Sequence, residues 1–120
     1  MNIEGTRTTP SVCIEPGIIE VKGRSIPEDS FEFYNPVLIA IHDYFANSEL
    51  KTEIHFHLEY INSGSKKFIT NILGVSNEFY QKGRSIIIQW HYDFDDESME
   101  ELCNDLRGMI QIPFHLIEVN

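Results

Sequence analysis

Between residues 52 and 81 the spacing of apolar residues changes period. Ile54, Phe56, Leu58 and Tyr60 recur at every second position, the alternation of a half-buried strand. Phe68, Ile69, Ile72, Leu73, Ser76, Phe79 and Tyr80 then recur at three and four, the stripe of an amphipathic helix. The pattern predicts a strand over Thr52–Ile61 and a helix over Gly64–Gln81, stopped by Gly83 as its C-terminal cap. The change of period falls on Asn62-Ser63-Gly64-Ser65. A small hydroxyl therefore stands in the first turn of a helix, where free N–H groups and a partial positive charge accept anions.

The same reading along the rest of the chain gives β-prone runs at Val12–Glu15 and Ile18–Lys22, folded about Pro16-Gly17 as an antiparallel hairpin. Residues 1–10 are polar and read as a flexible arm, and 23–30 read as a loop. Asn35-Pro36 has the form of a helix cap followed by a first-turn proline, and Val37, Ala40, Ile41, Tyr44 and Phe45 supply the apolar stripe that follows. Ser85–Tyr92 is a β-branched strand, and Asp95-Asp96-Glu97 opens a helix buried through Met99, Leu102, Cys103, Leu106 and Ile110. Ile112–Val119 closes the chain as a strand with Pro113 at its start or on an edge. The order is β-β-α-β-α-β-α-β over 1–120, one α/β domain. Its mixed sheet has parallel later strands and right-handed crossovers. Helices lie mainly on one face, which accounts for His55, His57 and Glu59 opposite the apolar residues of their strand.

Charge narrows the partners. The 120 residues carry nineteen acidic against nine basic side chains, a formal net charge of −10. Such a chain lacks the basic footprint of a nucleic-acid binder and is repelled by anionic membrane surfaces, so its expected partners are proteins. Cys13 and Cys103 stand far apart with no zinc spacing, and the first residues lack the basic and apolar blocks of a signal peptide. A cytoplasmic protein with reduced thiols and no cofactor is the expectation.

Several residues invite chemistry. Ser63 can cap the helix, receive a phosphate, or stand beside an Asn62 cap, and Ser65 is a competing acceptor. A third use of Asn62–Ser65 is to hold a nucleotide or other anion, which would make the chain a sensing module. His55, His57 and His91 raise a small metal-dependent enzyme, against the alternative of solvated or partner-facing histidines. The acidic run from Asp93 to Glu101 fits a dipole-matched helix start, or part of a docking surface near the second helix. Gly23-Arg24-Ser25 lacks the glycine spacing of a phosphate loop. No Ser/His/Asp or Cys/His set has credible catalytic spacing.

The element order, with a hydroxyl opening the helix after the third strand, resembles the STAS domain of anti-sigma-factor antagonists. Gly5-Thr6 with Thr9-Pro10, Gly23-Arg24-Ser25-Ile26-Pro27-Glu28, Tyr60-Ile61-Asn62-Ser63-Gly64-Ser65, Trp90-His91-Tyr92 with Asp95-Asp96, and Ile112-Pro113-Phe114 resemble the SiaC family of bacterial regulatory phosphoproteins. The resemblance runs through nearly the whole chain. It implies a STAS-like, non-enzymatic partner switch with Ser63 as phosphoacceptor. It also implies a partner surface from Tyr60, Asn62, Gly64, Ser65, Lys66, Asp95 and Asp96. The implied partners are a Ser/Thr kinase with a histidine-kinase-like ATPase fold, a PPM-type phosphatase, and an effector such as a diguanylate cyclase, bound and stimulated by the dephosphorylated form. The family's pattern at the switch is Tyr-x-Asn-Thr-Ser-Ser. Here Ser63 takes the threonine position and Gly64 that of the next serine, so the acceptor hydroxyl is kept.

Overall fold

Among the described residues nine elements follow one another, and their six strands form one sheet whose spatial order is the chain order. The computed structural model describes residues 1–119. It contains β1 (Asn2–Ile3), β2 (Ser11–Glu15), β3 (Ile18–Ser25), α1 (Ser30–Asn47), β4 (Thr52–Ile61), α2 (Ser63–Gln81), β5 (Ile86–Asp93), α3 (Glu97–Arg107) and β6 (Phe114–Val119). The strands lie in the order β1-β2-β3-β4-β5-β6. The first two pairings are antiparallel and the three from β3 to β6 are parallel. Three successive crossovers of the usual right hand between neighbouring strands place all their helices on one side.

That side holds the core. Val12, Ile19, Val21, Ile54, Phe56, Leu58, Ile88 and Trp90 point from the sheet into it. The helices answer with Tyr34, Val37, Ile41, Phe45, Ile69, Ile72, Leu73, Met99, Cys103 and Leu106. Trp90 is fully buried and stacks on Phe56 at 4.5 Å between ring centroids. Burial pushes the Cys103 thiol up to about 12, which makes it a packing residue rather than a nucleophile. Alternation along the strands sends Glu20, Lys22, Glu53, His55, His57, Gln89 and His91 to the opposite face, which no helix among the described residues covers.

Several boundaries differ from the sequence reading. The first ten residues contribute an edge strand, with Asn2 and Ile3 registered against Cys13 and Val12. The predicted hairpin is present, and its second strand runs on to Ser25. α1 begins at Ser30, not at Pro36, because Asp29 caps it: the Asp29 carboxylate accepts from the Glu32 N–H at 3.0 Å. Pro36 lies inside the helix, where its missing N–H removes the bond that Glu32 C=O would otherwise receive. The buried Tyr34 holds this extra turn to the core and hydrogen-bonds the Ser25 hydroxyl. The last strand starts at Phe114, after Pro113. At the end of α2, Lys82 is the C-cap and Gly83 follows with φ 104°, as its capping role requires.

Candidate functional site at the start of the second helix

The turn between β4 and α2 is held from several sides. Asn62 is the helix cap, its Oδ1 accepting from Ser65 N–H at 2.9 Å. The same side chain donates from Nδ2 to Pro27 C=O at 3.1 Å, and its backbone N–H donates to Ser25 C=O at 3.0 Å. Ser65 is fully buried and donates its hydroxyl to Ser25 C=O at 3.0 Å. Ser63, between these two, is exposed and its hydroxyl has no hydrogen-bond partner among the described residues. The three uses open to this hydroxyl are thereby narrowed. Capping falls to Asn62, Ser65 is buried and spoken for, and Ser63 presents a free Oγ at the positive end of a 19-residue helix, about 28 Å long at 1.5 Å rise per residue.

Gly64 carries no positive φ, so its backbone does not require glycine. Its reason lies in α1. A Cβ at position 64 would overlap the Ser30 hydroxyl oxygen and come within 2.9 Å of Ser30 Cβ. The first turns of α1 and α2 therefore touch beside Ser63.

Tyr60 is the one non-glycine residue with positive φ among those described, at 51°. Pairing along β3 and β4 passes from Arg24–Glu59 to Ser25–Ile61, which skips it. An aromatic residue in this region is strained, and the bulge turns its ring outward, 65 % exposed, under the Arg24 guanidinium at 5.3 Å. From Tyr60 a groove of ≈ 370 Å³ runs to the start of α3, lined by Ile61, Lys66, Asp96, Ser98, Met99 and Leu102. Of the residues singled out from sequence, Tyr60, Lys66 and Asp96 meet in this groove. Asn62, Gly64 and Ser65 form its neighbouring turn, and exposed Asp95 lies in the loop before α3. The Asp96 carboxylate is committed to capping, accepting from Met99 N–H at 3.0 Å.

Sequence reasoning missed Arg24, Ser30, Ser98, Met99 and Leu102 as site residues. The spacing of Met99 and Leu102 predicts core positions, and nothing local shows that Leu102 also faces a groove. Arg24 and Ser30 lie in what reads as a loop, and only the pairing of β3 with β4 and the approach of α1 to α2 bring them to the Asn62–Ser65 turn. The histidines are brought together elsewhere, on the open face. Among the described residues no group of three or more His, Cys, Asp or Glu side chains is placed to hold a metal ion. The metal-enzyme reading thus has no ligand set.

Residues 3–119 match the family described as SiaC family regulatory phosphoprotein. The chain belongs to the SiaC family. It is 31 % identical over 116 residues, 95 % of its length and 92 % of the relative's, to an uncharacterised protein of Pseudomonas aeruginosa strain UCBPP-PA14. Among solved structures it is similar to SiaC of Pseudomonas aeruginosa at 29 % identity and TM-score 0.92, covering 99 % of this chain and 98 % of that one. It is also similar, at 30 % identity and TM-score 0.94 over 99 % of both chains, to a chain from the crystal structure of the diguanylate cyclase SiaD in complex with its activator SiaC from the same organism. The STAS-like order of elements is thus that of a SiaC family fold, and the family is one of regulators rather than enzymes. Among the described residues no helix is long and apolar enough to cross a membrane.

Proposed function

We propose that this SiaC family protein is a partner switch with Ser63 as its phosphoacceptor. A Ser/Thr kinase of histidine-kinase-like ATPase fold adds the phosphate, and a PPM-type phosphatase removes it. The unmodified form docks an effector of the diguanylate cyclase class over Tyr60, Lys66 and Asp96. The observation that carries the reading is the division of labour in the turn: Asn62 caps, Ser65 is buried, and Ser63 is exposed with a free hydroxyl beside a groove.

The polarity follows from charge. A phosphate adds about −1.5 to −2 charges near neutral pH to a chain already at −10. At the α2 start it meets the helix dipole, so the fold tolerates it, but a partner lying close against the turn would have to desolvate it. A penalty of about 3 kcal/mol weakens binding more than a hundredfold, since about 1.4 kcal/mol is tenfold.

Phosphopeptide mapping after reaction with the kinase and ATP tests the site: label is expected on Ser63 and absent from Ser63→Ala. Label on Ser65 alone, with Ser63→Ala fully modified, overturns it. Calorimetric titration of the cyclase with unmodified protein and with protein carrying genetically encoded phosphoserine at 63 tests the polarity. Equal affinities, or tighter binding of the phosphorylated form, would reverse it.

A further inference from the structure

We propose that Glu53, His55 and His91 form a hydrogen-bonded chain on the open face of the sheet that accommodates one shared proton and is broken by a second. This makes the open face an acid-sensitive element, separate from the Ser63 turn.

The geometry supplies the argument. His55 Nε2 lies 3.2 Å from Glu53 Oε1, an oxygen that also accepts from Gln89 Nε2 at 3.3 Å. His55 Nδ1 lies 3.2 Å from His91 Nε2, with the two rings nearly parallel at 18° and centroids 5.5 Å apart. A carboxylate can only accept, so His55 donates from Nε2 to Glu53. When the chain is neutral, a single proton lies between His55 Nδ1 and His91 Nε2, and one of these nitrogens must act as acceptor. A first added proton fits on His55. It then donates on both sides, to Glu53 through Nε2 and to His91 through Nδ1, and both bonds become charge-assisted. A second added proton on His91 leaves two N–H groups and two like charges facing each other across 3.2 Å. One ring must then leave the other.

The surroundings sharpen the effect. His57 lies beside His91 with ring centroids 6.0 Å apart. Its Nε2 is buried without a hydrogen-bond partner among the described residues, 3.5 Å from Asp93 Oδ1. Glu20 and Lys22 of β3 line the same concavity of ≈ 180 Å³ with the three histidines. Glu59 of β4 alternates onto this face, and on β6 exposed His115 registers with Gln89. Burial, with His55 and then His57 as further causes, holds His91 below the usual imidazole range, and Glu20 opposes this only in part.

The test is a ring-nitrogen titration by NMR on the full chain labelled in its histidines, from roughly pH 8 to pH 5, the span in which histidine charge changes. The His91 step is expected to be visible in the ring-nitrogen signals of His55 as well as in its own, because one hydrogen bond joins the two rings. His55→Gln should raise the His91 midpoint toward the usual imidazole value of about 6.5. Glu53→Gln, which keeps the chain's shape but removes the carboxylate that fixes His55 Nε2 as a donor, should weaken the His55 response to the His91 step. It also serves if His55→Gln fails to fold. A His55 signal blind to the His91 step, a His91 midpoint unmoved by His55→Gln, or a His55 response unmoved by Glu53→Gln would each overturn the proposal.

Discussion

Alanine at position 64 should destabilise this protein although it replaces a helical glycine. In an open helix the exchange stabilises by about 0.5–1 kcal/mol, because glycine loses more backbone entropy on folding. At position 64 the added methyl meets α1: it overlaps the Ser30 hydroxyl and approaches Ser30 Cβ to 2.9 Å. Rotating the hydroxyl removes the first contact but not the second, so the first turn of α1 must shift. Overpacking of this kind costs roughly 1–3 kcal/mol, which outweighs the entropic gain and leaves a net loss of about 1 kcal/mol. For a domain of this size that is a fall of roughly 3–6 °C in melting temperature. Gly74, in the same helix with nothing within 4 Å of a Cβ, is the control. Gly74→Ala should raise the melting temperature by a similar amount. Ser30→Gly should recover most of the loss in the Gly64→Ala background, a coupling of about 1 kcal/mol in a double-mutant cycle. A Gly64→Ala protein as stable as Gly74→Ala, or no recovery with Ser30→Gly, would refute the steric account.

Asn62→Ala removes a cap and the tether to Pro27 C=O together, and should cost about 1–2 kcal/mol in denaturant unfolding while leaving far-UV circular dichroism native. Tyr60→Gly relieves the strain at φ 51° and should leave stability unchanged or raised by up to about 1 kcal/mol, yet weaken effector binding measured by calorimetry. Acid should act through His91, whose folded form takes up its proton at lower pH than the unfolded chain. Its contribution is fully present above about pH 6.5 and is lost as the pH falls below that value. Melting curves at descending pH should therefore fall more steeply for the wild type than for His91→Gln.

Much of the fold is legible in the sequence because the strand and helix periods of 52–81 are clean and the crossovers that follow permit one hand. The α1 start is not. Phe31-Glu32-Phe33-Tyr34 has no single apolar stripe, and Asn35-Pro36 imitates a helix beginning. The true cap, Asp29, is recognisable only once Tyr34 is seen buried against Ser25. β1 is illegible for a different reason: two residues gain their strand character from the partner edge they meet. At the site, the Asn62–Ser65 turn can be read locally, whereas the assignment of cap and free hydroxyl depends on Ser25 and Pro27, distant in sequence. Arg24 reaches Tyr60 only through the irregular register of β3 on β4.

The coincidence of spatial and chain order in the sheet has a consequence for how the molecule is assembled. Each strand finds its neighbour without waiting for a distant segment, so the structure can grow by accretion from its first hairpin as the chain emerges during synthesis. β3, α1, β4 and α2 suffice to complete the turn that carries Ser63. The opposite wall of the groove, Ser98, Met99 and Leu102 of α3, is made of residues synthesised afterwards. The groove is thus a seam between early and late structure, and a nascent chain stalled after α2 would carry Ser63 without the groove beside it.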